Sequence, residues 1–263
     1  MPFAQVGDVR LFYTDEGSAD PPVLFVHGYS CDSHDWSWQI PFFAENHRVI
    51  AVDNRGHGRS SVPDGGYDHG DFAADVAGLI EHLGCGPVVA VGHSLGGVIV
   101  STLAVERPDL VKAVVCVDPG YLIPDEMAAG LAPLIDALMG DDPIPAAQAM
   151  LGGTYSPASP PALKTWHMRR IAGMPAHVLS QTLVNLLQGM ALASKSAPHL
   201  ARRQCPVLTL YTDPGRAAVE AGLMGDSRSK AVSFEGSGHW LHQERPAEFN
   251  HLVEGWLQGL TAG

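Results

Sequence analysis

Positive charge is scarce in this chain of 263 residues: Lys and Arg total 16 against 28 Asp and Glu, a formal net charge of −12. No basic run occurs, which argues against nucleic acid or an anionic membrane surface as partner and leaves an anionic small molecule open. Long apolar runs are also missing. No stretch approaches the roughly 18 apolar residues that a membrane-spanning helix needs. The opening residues MPFAQVGDVRLFY lack the order of charged start, apolar core and small-residue cleavage site that marks a signal peptide, so a soluble cytoplasmic protein is expected. Cysteine is sparse and unpatterned. Cys31, Cys85, Cys116 and Cys205 show no C-x-x-C spacing, and the last three lie in or beside apolar runs, so buried free thiols are expected rather than disulfides or a metal site. What is plentiful is apolar material, 46% of the chain, enough for a sizeable core in one α/β unit carrying an insertion.

The most informative stretch is VVAVGHSLGGVIV, Val88 to Val100. Val88, Val89, Ala90 and Val91 read as a buried strand that breaks at Gly92, His93, Ser94, Leu95 and Gly96, after which an apolar helix takes over. A G-x-S-x-G set between strand and helix is a sharp elbow. The serine there takes a strained backbone conformation, and glycines on either side are needed where a side chain would strike neighbouring backbone. The turn lifts the Ser94 hydroxyl out of the sheet, and the following helix aims its unpaired N–H groups at charge formed there. Ser94 is therefore the candidate nucleophile.

Around this elbow the chain alternates strands with helices. Phe3 to Glu16 reads as an antiparallel edge hairpin turning at Gly7 and Asp8. Pro22 to Val26 is a buried strand ending in His27, Gly28, Tyr29 and Ser30 at the rim where ligands gather in open α/β sheets. His34 to Ala44 has amphipathic helical spacing, with Trp36, Ile40 and Phe43 as core and Asp32, His34 and Trp38 as possible neighbours of a pocket. Arg48 to Val52 is a strand, followed by Asp53 to Ser60, a glycine-rich loop in which Arg55 ties segments together and His57 is structural. Phe72 to Leu83 is helical. Lys112 to Val117 is a strand that stops at Asp118, and Pro206 to Tyr211 and Ala231 to Phe234 are the last two.

Roughly Tyr121 to Leu200 differs in composition. It is rich in Ala, Leu, Met and Pro, without β-branched runs, and reads as short helices broken at prolines. Met127, Leu131, Leu134, Leu138, Met150, Trp166, Met168, Met174 and Leu183 supply an apolar face, with Trp166 singled out as pocket lining. Near the end, Gly236, Ser237, Gly238, His239 and Trp240 follow the last strand and lead through QERP into an amphipathic helix.

The G-x-S-x-G elbow, the His27–Gly28 pair and the glycine-flanked His239 together make the chain resemble the α/β-hydrolase superfamily, from about Phe3 to Leu257 with a less recognisable middle. The resemblance implies a mostly parallel eight-stranded sheet flanked by helices, with a helical cap inserted after the sixth strand. Residues 1–120 and 200–263 then form the core and 121–199 the cap. It also implies an oxyanion hole from the N–H groups of Tyr29 and Leu95, and a triad in the order Ser, acid, His with His239 as base.

For the acid, most relatives place a carboxylate in a G-x-x-D pattern before the histidine strand. Here that stretch is Thr212, Asp213, Pro214, Gly215, with glycine at the expected place. A minority, zearalenone lactone hydrolases among them, carry it at the end of the strand after the nucleophile helix, where Asp118 stands. Asp118 is preferred, with Asp213 as the alternative, and the structural reading of either one is a cap of its own loop.

The function that follows is a serine hydrolase of a small, hydrophobic carboxylic ester or lactone, working through an acyl-enzyme and needing neither metal nor organic cofactor. Serine rather than aspartate at the elbow argues against dehalogenase and epoxide hydrolase chemistry. Thioesterase, cofactor-free peroxidase or perhydrolase, and carbon–carbon bond hydrolase activities use the same triad, and a ligand receptor on the same fold is the non-enzymatic alternative. Oligomeric state is not legible.

Overall fold

The computed structural model describes residues 2–157 and 159–261. Among them run β1 (Phe3–Val6), β2 (Val9–Glu16), β3 (Val23–Val26), α1 (Ile40–Phe43), β4 (Val49–Val52), α2 (His69–Leu83), β5 (Val88–His93), α3 (Leu95–Glu106) and β6 (Val111–Val117). Five helices follow: α4 (Ala128–Leu138), α5 (Ile144–Gly152), α6 (Pro161–Gly173), α7 (Ala176–Gly189) and α8 (Ala193–Leu200). The chain closes with β7 (Val207–Tyr211), α9 (Pro214–Ala221), β8 (Lys230–Ser233), α10 (Leu241–Glu244) and α11 (Pro246–Thr261).

The strands form one eight-stranded sheet in the order β1-β2-β4-β3-β5-β6-β7-β8. β1 and β2 form the expected antiparallel hairpin, with Val6 opposite Val9, and β2 pairs antiparallel with β4. All later pairings are parallel. The strand residues alternate between two cores, as the period of two requires. Leu24, Val26, Val88, Ala90, Val114 and Cys116 face one side, against Phe72 and Val76 of α2 and Val98 and Ile99 of α3. Val23, Phe25, Val89, Val91, Ala113 and Val115 face the other, against Trp36, Phe43 and, from α11, Phe249, Val253 and Trp256. Both faces being covered explains why the central strands read as continuous apolar runs.

Helix α2 starts on a reciprocal cap, the Asp68 side chain accepting from the Asp71 N–H and Asp71 returning to Asp68, and ends at Gly84 in the left-handed region. The helix expected over His34 to Ala44 is broken instead. Ser33–Trp36 is a 3-10 turn and α1 begins afresh at Ile40, because Pro41 fits only at a helix start. Trp36 and Phe43 are nevertheless core, as their spacing suggested. The segment between β6 and β7 holds α4 to α8, and a bridge from Ile123 to Leu192 joins its two ends.

Candidate active site

Three parallel strands deliver the site to one rim of the sheet. β5 ends at His93, and Ser94 follows with φ 54° and ψ −113°, a conformation few non-glycine residues adopt. Its backbone is clamped from both sides: the Ser94 N–H donates to the Val117 carbonyl at 2.9 Å and its carbonyl accepts from the Gly120 N–H at 3.1 Å. The flanking glycines are required by space. A Cβ on Gly92 would lie 2.1 Å from the Gly96 carbonyl oxygen, and one on Gly96 would lie 2.1 Å from that of Val26. The elbow thus presses on the end of β3, and Gly28 in turn lies against Ser94, a Cβ there meeting the Ser94 Cβ at 3.2 Å.

That contact brings Tyr29 beside Ser94. Among the described residues, neither the Tyr29 nor the Leu95 backbone N–H has a hydrogen-bond acceptor, and Leu95 is the first residue of α3. The Tyr29 hydroxyl donates to the Leu179 carbonyl at 3.1 Å, tying this loop to α7. His27 is structural. Its Nε2 accepts from the Asn54 N–H at 2.9 Å, so Nδ1 carries the proton and donates to the Gly28 carbonyl at 2.8 Å. Burial pulls its pKa down, in keeping with a neutral ring.

Asp118 ends β6 with φ 39°, and its carboxylate turns toward His239. Asp118 Oδ2 lies 2.6 Å from His239 Nδ1. Oδ1 accepts from the Thr212 N–H at 3.3 Å and hydroxyl at 3.2 Å, with Arg216 Nη1 at 3.6 Å. Burial pushes the carboxyl pKa up, but His239, Arg216 and Thr212 outweigh it and bring it down to about 2. Asp213 is used otherwise: its side chain caps α9, accepting from the Gly215 N–H at 2.7 Å and the Arg216 N–H at 3.4 Å.

The His239 loop is held by residues its sequence does not advertise. Its N–H donates to the Thr154 carbonyl at 3.0 Å, and His93 Nε2 donates to its carbonyl at 2.9 Å. The Glu244 carboxylate fixes the preceding Gly238 N–H at 2.6 Å and receives the hydroxyl of Ser156 at 3.2 Å. His93 is fully enclosed. Burial drives its pKa well below the usual value and the neighbouring His239 and His242 add to the effect, so it is a neutral positioning group.

Ser94, Asp118, His239 and Tyr29 line a single cavity of about 510 Å³. Its apolar wall comes chiefly from α5 and α7, with Met150, Leu151, Leu183, Leu186 and Leu187, completed by Ile123. Thr154, Tyr155, Thr212 and Arg216 give it a polar margin. Such a volume and composition suit a small molecule with an apolar body and one reacting polar group.

Trp166 lies elsewhere. It is 38% exposed on α6, stacked on Trp38 at 6.2 Å and edge-on to His34 at 5.8 Å, and is not among the residues lining the cavity. Helical spacing could not say which face of α6 turns inward, and the inward positions are taken by Leu163, His167 and Ile171. Of the other apolar residues singled out in this segment, Met150 and Leu183 reach the cavity, Leu138 is buried and Met127 is exposed. Arg216 and Tyr155 also line the cavity, and no motif in the sequence marks either of them. His57 is buried, bonded to the Arg55 carbonyl at 2.8 Å and outside the cavity, while Arg55 pairs with Asp75 at 2.6 Å and so ties the loop to α2.

Residues 23–252 match the family described as "Alpha/beta hydrolase family". A 2-(acetamidomethylene)succinate hydrolase of Mesorhizobium japonicum is 30% identical over 252 residues, covering 92% of this chain and 89% of that protein. A non-heme haloperoxidase of Rhodococcus erythropolis is 46% identical over 99 residues, 37% of this chain and 36% of that protein. Among solved structures, that of an N-acyl homoserine lactone degrading enzyme superposes with a TM-score of 0.84 at 26% identity, covering 97% of this chain and 99% of that one.

Proposed function

The chain is a member of the alpha/beta hydrolase family, and we propose that it cleaves a carboxylic ester or lactone with an apolar body through an acyl-enzyme on Ser94. The observation that carries this is the 2.6 Å contact of His239 Nδ1 with Asp118 Oδ2, at the wall of the cavity that Ser94 also lines. With Nδ1 donating to the carboxylate, Nε2 is left with the lone pair a general base needs.

Ser94 Oγ attacks the carbonyl carbon while His239 Nε2 takes its proton, and the carbonyl oxygen becomes an oxyanion. The unpaired N–H groups of Tyr29 and Leu95 receive that charge, each donor contributing about 2.7–4 kcal/mol to the transition state. Asp118 stabilises the imidazolium, which then protonates the leaving alkoxide. In a lactone that alcohol stays joined to the acyl group. Water, activated by the same histidine, adds to the acyl carbonyl, and Ser94 leaves with its proton restored. Helices α4 to α8 act as the cap over residues 121–199, with Leu200, the last residue of α8, at its border with the core.

Support for the substrate class comes from the leucine-rich wall of the cavity and from the likeness to a lactone-degrading enzyme. The local identity to a non-heme haloperoxidase favours a second reading, perhydrolysis, in which hydrogen peroxide replaces water in the second half-reaction. The test is acid release at constant pH over aryl esters, alkyl esters, small lactones and macrolactones, with and without peroxide, for the wild type and Ser94→Ala. Turnover lost in Ser94→Ala supports the mechanism, and absence of wild-type turnover on every ester and lactone rejects the substrate class.

A further inference from the structure

Where the loop after β3 meets α6, a buried polar cluster lies outside the hydrolytic machinery. Cys31, Asp35 and His167 are 3%, 3% and 0% exposed, and one ligand atom from each lies within 4.8 Å of the others. Two polar atoms there are orphans. Asp35 Oδ2 and His167 Nε2 have no hydrogen-bond partner among the described residues and stand 3.7 Å apart, beyond hydrogen-bond reach. Fully buried polar atoms are nearly always satisfied, and an ion shared by Cys31, Asp35 and His167 would satisfy both.

We infer that Cys31, Asp35 and His167 form a binding site for a thiophilic divalent cation of the zinc class. The donor set is thiolate, carboxylate and imidazole, which suits zinc rather than calcium or magnesium. Bonds of about 2.0–2.3 Å in a tetrahedral site put ligand atoms roughly 3.3–3.8 Å apart, so from a spread of up to 4.8 Å the cluster needs to contract by about 1.5 Å at most. The Asp35–His167 separation of 3.7 Å already lies in that range. His167 is also oriented as a ligating histidine should be: its other nitrogen, Nδ1, is 2.9 Å from the Tyr155 hydroxyl, which fixes the ring and leaves Nε2 facing Asp35.

Charge balance favours the ion. Arg170 reaches both carboxylates, Nη2 lying 3.0 Å from Asp32 Oδ1 and Nη1 bonded to Asp35 Oδ1, so two negative groups share one positive group. A cation bound among them offsets that excess of negative charge. A surface cavity of about 450 Å³ is lined by Cys31, Asp32 and Arg170 and so reaches the Cys31 side of the cluster. Bound there, the ion staples α6 to the loop after β3 and, through His167 and Tyr155, stiffens one margin of the substrate cavity.

The test is a Co²⁺ titration of reduced, chelator-stripped protein, followed by absorption, with Zn²⁺ as competitor. The expected result is one equivalent of tetrahedral Co²⁺ with a thiolate charge-transfer band, displaced one for one by Zn²⁺, and a raised Tm with Zn²⁺. In Cys31→Ser the charge-transfer band disappears and Zn²⁺ binds at least about 30-fold more weakly, and Tyr155→Phe weakens it about tenfold. The wild-type spectrum decides even if a variant does not fold, since among the described residues no other cysteine belongs to a three-ligand group. Absence of a thiolate band in the wild type, or Zn²⁺ affinity unchanged in a folded Cys31→Ser, overturns the site.

Discussion

His239 Nδ1 and Asp118 Oδ2 are 2.6 Å apart although 121 residues separate them in the chain, and Asp213, much nearer His239 in sequence, caps a helix instead. Asp118→Asn should lower kcat/KM by roughly 10³–10⁴-fold, because an amide cannot hold the required tautomer or stabilise the imidazolium. Asp213→Ala should leave turnover near the wild type while costing about 1 kcal/mol of stability as the α9 cap is lost. Steady-state kinetics with a denaturant melt of each variant separates the two.

The depressed Asp118 pKa makes stability depend on pH. The folded value of about 2 lies below the ordinary 3.8, so the unfolded chain binds the proton more readily. The contribution, about 2 kcal/mol, is present above pH 4 and is lost as pH falls through the folded value near 2. Urea melts at pH 5 and pH 3 should show the advantage of wild type over Asp118→Asn shrinking by about 1 kcal/mol.

Much of this site was legible beforehand. Ser94 and His239 stand out in the sequence because they are flanked by glycines at the ends of apolar strands, whereas Tyr29 and Leu95 are reached only through the resemblance to the family. Asp118 is preferred in the sequence by the glycine at the usual acid position and by its place at a strand end, while its contact with His239 depends on how β6 and the His239 loop meet. Arg216, Tyr155 and the cluster of Cys31, Asp35 and His167 were invisible, since their meeting depends on how the insertion lies on the core. The broken helix near Pro41 was readable in principle from the proline.

Trp166 stands on α6 outside the cavity wall. Trp166→Ala should leave KM for an apolar ester close to wild type, because the ring stacks on Trp38 away from the cavity. Leu186→Ala, which removes part of the cavity wall, should raise KM about tenfold for a bulky acyl group.

Stability rests in part on a buried ion pair. Arg203 donates to Glu220 at 2.7 Å, and Glu220 also receives the hydroxyls of Tyr121 and Tyr211. Arg203→Ala leaves that carboxylate uncompensated, and a denaturant melt should show a loss of about 3–5 kcal/mol.

The most direct test of Ser94 as nucleophile is labelling with a fluorophosphonate, followed by intact-mass measurement and peptide mapping. The expected result is one adduct per chain, on Ser94, absent in Ser94→Ala and strongly slowed in Asp118→Asn. A folded wild type that takes no label, or takes it on another residue, contradicts the acyl-enzyme mechanism.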